Sequence, residues 1–200
     1  VSTATTGITF SVTAGTGDFL SAASLTAVNG VASVAFTSEV AGTATVTGSA
    51  SGLTGTVTLS ITTGAPAALL ILDGNNQVGG AGQPLTKPLK VKVTDVHRNA
   101  VTGVTVTFAP VSDKAEVTDA SKTTGSVGEA QTTAKLGGVL GTQQFSASVA
   151  GIPLATFSAT AEPGPKARLM LSAASTSFAA GGSTSITARI EDQFGNLVRT

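Results

Sequence analysis

The chain has 200 residues, enough for one or two domains of ordinary size. Its 11 basic and 11 acidic residues cancel, which removes the electrostatic footprint of a nucleic-acid or anionic-membrane binder. The absence of cysteine excludes disulfides and thiolate metal sites, and no apolar run reaches the roughly 18 residues of a membrane span.

Charged residues make up only 11% of the chain, less than half the usual share. Thr, Ser, Gly, Ala and Val stand in their place, which favours strands and turns over helices. The first segment, "TGITFSV" (6–12), alternates apolar and polar residues. "TAVNGVASVAFTSEVAGTATVTGSASG" follows, ending at Gly52, and then Val57, Leu59 and Ile61 alternate with Thr58 and Ser60. The short linker "TTGAPAA" (62–68) leads into a second, longer stretch. There the pattern predicts strands near 67–73, 87–95, 101–110, 115–119, 128–136, 142–150 and 153–161. Turn signals separate them at "GNNQVGGAGQP", "HRNAVTG", "GSVG", "GGVLG" and "AGIP". "GGAG" (79–82) reads as a loop, because Gln-Pro follows it and not the Lys and helix of a phosphate loop. A second linker, "AEPGPKA" (161–167), precedes a last stretch that ends on "EDQFGNLVRT". No segment carries a 3.6-residue stripe, so almost no helix is expected.

These segments repeat. Gly30 and Gly128 lie 98 apart, as do Phe10 and Phe108; Gly42 and Gly141, and Gly52 and Gly151, lie 99 apart. Leu70 matches Leu169 and Leu72 matches Leu171 at 99. "VKVTDVHRNAV" (91–101) matches "ARIEDQFGNLV" (188–198), with Asp95 on Asp192, Asn99 on Asn196 and Val101 on Val198 at 97. The expected organisation is the back part of one repeat (1–64), a complete repeat (65–164) and the front part of a third (165–200). Each complete repeat suits an antiparallel two-sheet sandwich of about seven strands. At the repeated turn, Gly195 and Asn196 tolerate positive φ, and the Asp carboxylate can cap backbone N–H groups. Arg98 stands where Gly195 does, so either Arg98 takes a left-handed backbone or the turn changes type.

The residues just quoted resemble the bacterial immunoglobulin-like (Big-1 type) repeats of the invasin and intimin adhesins. "VKVTDVHRNAVTGVTVTF" with its partner "ARIEDQFGNLV", "TAVNGVASVAFTS" and "AGTATVTGSASG" carry the likeness, which runs through nearly the whole chain. The middle copy departs from the pattern at Arg98 and at the more polar "GSVGEAQTTAKLGG". The resemblance implies an all-β fold of tandem immunoglobulin-like sandwiches, antiparallel and of Greek-key type. It also implies a stalk or spacer on a bacterial surface or in a secreted protein, projecting a distal functional domain. Its partners would be neighbouring repeats, with any host protein or glycan met by another domain. Each repeat would add roughly 35–45 Å of reach. Two other roles are compatible with such repeats: a binding module for a host protein or glycan, and a non-catalytic accessory region of a large secreted enzyme.

A search for chemistry assigns no catalytic residue and no cofactor. His97, the single histidine, lies in a turn with no second His or Cys beside it, and Phe194 takes its place in the later copy. "GSASG" (48–52) has Ala50 where a nucleophile elbow needs its serine in other order. Asp113, Glu116 and Asp119 form one acidic cluster, a candidate for calcium. Lys114 and Lys122 lie beside it, and Gly15, Asp18 and Ser21 stand at the matching positions, which favours a solvated, charge-balanced loop.

Overall fold

The computed structural model describes residues 6–199, which are all-β: 18 strands and no helix. Contacts divide the chain into two compact units. One runs to Ala65 and takes in Asp95–Asn99; the other holds Pro66–Thr94 and everything from Ala100 on.

The first unit contains β1 (Gly7–Ala14), β2 (Asp18–Phe19), β3 (Ser24–Thr26), β4 (Phe36–Thr37), β5 (Gly42–Ala50) and β6 (Leu53–Ile61). Its main sheet has the order β3-β1-β5-β6, and β2 pairs with β4. The β5–β6 hairpin turns through Ser51 and Gly52, both at positive φ (49° and 83°). Two such residues give the turn a twist that matches the flanking strands, which allows nine paired positions from Gly42–Ile61 to Ala50–Leu53.

The second unit contains β7 (Ala68–Asp73), β8 (Gln77–Gly80), β9 (Leu89–Thr94), β10 (Thr105–Pro110), β11 (Glu116–Val117), β12 (Ser121–Thr123), β13 (Glu129–Thr132), β14 (Ala134–Lys135), β15 (Gly141–Ser148), β16 (Ala155–Glu162), β17 (Arg168–Ala173) and β18 (Ile186–Glu191). A five-stranded sheet, β12-β10-β15-β16-β8, and a three-stranded sheet, β13-β9-β7, supply one core. Leu89, Val91 and Val93 of β9 meet Val106 and Phe108 of β10, Phe145 of β15 and Phe157 of β16, all fully buried. Phe145 sits directly opposite Phe157 in the ladder. The period-2 alternation produces this arrangement: one face of each strand is apolar and its hydroxyl-rich face is wet.

Five expectations need correction. The stretch "GNNQVGGAGQP" is not all turn, because Gln77–Gly80 forms β8 and pairs with β16. Gly79 and Gly80 of "GGAG" are therefore strand residues. Glycine suits Gly79 because a Cβ there would stand 3.1 Å from Leu136 Cδ1. This pairing is parallel, so the sheet is not purely antiparallel. The strand expected from 101 starts at Thr105, since Val101 N–H bonds back to Val93 O and Gly103 turns at a φ of 76°. The segment expected at 128–136 divides into β13 and β14, and β12 went unread. Finally, Leu169 lies opposite Ile190, as Leu69 lies opposite Val93. Leu169 thus takes the place of Leu69, and Leu171 that of Ile71, a spacing of 100 and not 99. A slip of one residue exchanges the faces of a strand, so this decides which leucines point inward.

Candidate functional site

The structure assembles a buried carboxylate clamp at the turn after β18. Asp192 is fully buried. Its Oδ1 accepts hydrogen bonds from the backbone N–H of Phe194 and of Asn196, each at 2.9 Å. Its Oδ2 accepts from Gly164 N–H at 2.9 Å and from Asn196 Nδ2 at 2.8 Å. Asn196 Nδ2 also donates to Gly138 O at 3.0 Å. One carboxylate therefore closes its own turn and grips the "EPGP" linker, while Asn196 reaches the loop between β14 and β15. Burial pushes the Asp192 carboxyl up. The donors of Asn196, Gly164 and Phe194 outweigh it and hold the group at about 2, below the usual 3.8.

Glycines let the parts approach. A Cβ on Gly164 would stand 2.8 Å from Ala81 O, and a Cβ on Gly138 would fall 2.5 Å from the Phe194 ring. Gly82, at a φ of 72°, leaves room for the same ring. Phe194 thus rests on two glycine backbones.

The first unit holds the same arrangement around Asp95. Its Oδ1 accepts from His97 N–H (2.9 Å) and Asn99 N–H (2.8 Å), and its Oδ2 from Gly64 N–H (2.9 Å) and Asn99 Nδ2 (3.0 Å). Asn99 Nδ2 donates to Glu39 O, and Asn99 Oδ1 accepts from Ala41 N–H. The Asn99 side chain and the N–H groups of Gly64, Asn99 and His97 lower the Asp95 carboxyl to about 2, against an opposing effect of burial. Arg98 has a φ of 68° and Gly195 of 88°, and each donates its N–H to the Asp carbonyl. The turn type is therefore shared, and Arg98 bears the left-handed backbone.

His97 lies in this turn with Nδ1 3.6 Å from Glu39 Oε2, its side chain partly exposed. The acidic cluster is dispersed: Glu116 pairs with Lys135 at 3.6 Å and Asp119 with Lys122 at 2.8 Å. Lys122 lies beside the cluster as expected, but it is Lys135, distant in sequence, that meets Glu116. No three His, Cys, Asp or Glu side chains among the described residues are grouped to hold a metal ion. Sequence reading found the Asp cap but missed the Asn side chain, Gly64, Gly164 and the Phe194 seat. The Asp-x-x-x-Asn spacing was the available signal for the first of these.

No family model matches the chain, and neither does any curated protein. Among solved structures, it is similar to FdeC, described as a broadly conserved Escherichia coli adhesin: 21% identity, a TM-score of 0.54, and coverage of 78% of this chain and 52% of that one. This chain spans about half the length of that structure. Domains 4–9 of the surface layer protein SbsC align over 80% of this chain and 25% of theirs, with 17% identity and a TM-score of 0.41. The D0-D1 domain of intimin aligns over 78% and 83%, with 20% identity and a TM-score of 0.34. The last two scores are too low to carry an argument. The likeness to FdeC shows a shared fold.

Proposed function

We propose that this chain is a spacer: tandem immunoglobulin-like sandwiches of a bacterial surface or secreted adhesin-like protein, stiffened at their joints and projecting a functional domain that lies elsewhere. The Asp192 clamp carries this reading. It joins residues 165–199 to the end of the preceding two-sheet body through two hydrogen bonds, Gly164 N–H to Asp192 Oδ2 and Asn196 Nδ2 to Gly138 O, while three more to the same carboxylate brace its own turn, in a place where a flexible linker would need none. The fold shared with an adhesin supports the setting, outside the cell or on its surface. The proposed boundaries are 1–64, 65–164 and 165–200, and the proposed role is mechanical and non-catalytic.

The test is a height measurement. The chain is placed between a surface anchor and a fluorescent reporter, and the reporter's distance from the surface is read. A spacer holds the reporter at a fixed height with a narrow spread, and Asp192→Asn widens the spread. A height that does not change on deleting the chain would contradict the proposal. So would saturable binding of the isolated chain to host proteins or glycans.

A further inference from the structure

The two clamps make the same bonds, so they cannot tell one repeat from another. At each turn the Asp carboxylate accepts from the N–H groups two and four positions on, from an upstream glycine N–H and from the Asn side-chain amide. The Asn amide then donates to a carbonyl of the facing loop, Glu39 O in the first unit and Gly138 O in the second. These loops correspond: "SEVAG" (38–42) and "GGVLG" (137–141) have the same length and lie 99 apart. Glu39 therefore stands where Gly138 stands, as His97 stands where Phe194 stands.

The side chains on this shared frame differ, and they differ as a pair. In the second unit the turn presents Phe194 and the loop presents bare backbone. The ring lies so near that a Cβ on Gly138 would fall 2.5 Å from its Cδ1, and one on Gly82 would fall 2.4 Å from its Cε2. In the first unit the turn presents His97 and the loop presents Glu39, with Nδ1 3.6 Å from Oε2. Exchanging one member alone fails in either direction. A glutamate in place of Gly138 drives its stem into the Phe194 ring, and overpacking of that kind is destabilising. A glycine in place of Glu39 takes the carboxylate away from His97, a smaller loss because the pair is exposed.

We infer that Gly138 with Phe194, and Glu39 with His97, are matched pairs that select which turn seats on which loop. A glycine loop takes an Asp-x-aromatic-x-Asn turn, and an acidic loop takes the same turn with a cation in the aromatic's place. The clamp supplies the hold common to both joints. The pair supplies the discrimination, because selectivity comes from rejecting the wrong partner as much as from holding the right one. Neighbouring repeats are thereby not interchangeable. The inference rests on the geometry of the two turns and not on the spacer role, and its failure would leave the height measurement untouched.

Hydrogen exchange of the whole chain tests it, at about pH 5.5, acidic enough for a histidine to carry its proton. The Gly164 amide, which donates to Asp192, reads the second turn. Gly138→Glu should lower its protection about tenfold or more. Adding Phe194→His should restore most of that loss. Adding Phe194→Ala instead relieves the overlap but brings no cation, and should leave protection about threefold below the His variant. Amide signals of residues 66–135 that stay in place show that the sandwich is folded. The Gly64 amide, which donates to Asp95, reads the first turn. Glu39→Gln keeps the shape, removes the charge and lies at an exposed position that does not endanger folding; it should lower Gly64 protection about two- to fivefold. Unchanged Gly164 protection in Gly138→Glu overturns the inference. So does a Phe194→His partner that restores nothing, or a Phe194→Ala partner that restores as much. A Gly64 amide indifferent to Glu39→Gln overturns it as well.

Discussion

Replacing Asp192 by Asn keeps the shape of the clamp and removes its charge. In the parent, four N–H donors converge on two carboxylate oxygens at 2.8–2.9 Å. The amide of Asn offers one oxygen and one NH2, so two of those donors face another donor whichever way it turns. Hydrogen bonds to a charged acceptor contribute about 1.5–3 kcal/mol, neutral ones about 0.5–1.5, and a buried unpaired donor costs about 1–3. Relief from burying a charge offsets part of the loss, and a net of about 3 kcal/mol remains. That lowers the protection of the Gly164, Phe194 and Asn196 amides by about two orders of magnitude in hydrogen exchange. The effect also depends on pH. The folded carboxyl titrates at about 2 and the unfolded one at 3.8. Its stabilisation is therefore complete above the unfolded value and is lost as pH falls from about 4 towards 2. The parent shows this acid limb in its denaturation midpoint, followed by far-UV circular dichroism because the chain has neither Trp nor Tyr. Asp192→Asn is already weakened at neutral pH and lacks that part of the limb. Equal protection of the Gly164 amide in parent and variant would refute the reasoning.

The remaining predictions concern the core, the left-handed turn and the glycine seat. Phe108→Ala or Phe157→Ala empties a fully buried site and lowers the unfolding free energy by about 3–5 kcal/mol in urea titration. Arg98→Gly relieves a left-handed backbone at a φ of 68°, so its melting temperature stays level or rises, by up to about 1 kcal/mol of stability; a fall would contradict the shared turn. Gly138→Ala drives a methyl to 2.5 Å from the Phe194 ring. It should displace the ring and speed exchange at Phe194, while Gly141→Ala, which has open space but a φ of 98°, affects its own hairpin alone.

The all-β character and the inward Phe residues were legible because period-2 alternation is local and strong. Val104, Val106 and Phe108 announce a face before any partner is known. The repeat at 97–99 was legible because Gly, Asp and Asn recur at backbone positions with special demands. What escaped depends on partners distant in sequence. Gln77–Gly80 is rich in glycine and reads as turn, and only the outer edge of β16 makes it a strand. The Leu169 register was misread by one because "ALLIL" and "RLMLS" are apolar at adjacent positions, so either face could carry the leucines. Only the pairing with β18 decides it. Asp95 and Asp192 were recognised as caps for their own turns. Their grip on Gly64 and Gly164, 31 and 28 residues upstream, leaves no local trace.

The central claim is that the Asp192 clamp makes residues 165–199 move with the body before them. Backbone 15N relaxation of the whole chain tests it most directly, comparing residues 165–199 with 66–164. The account predicts one shared rotational correlation time in the parent, and separate, faster tumbling of residues 165–199 in Asp192→Asn. Independent motion of that stretch in the parent would contradict it.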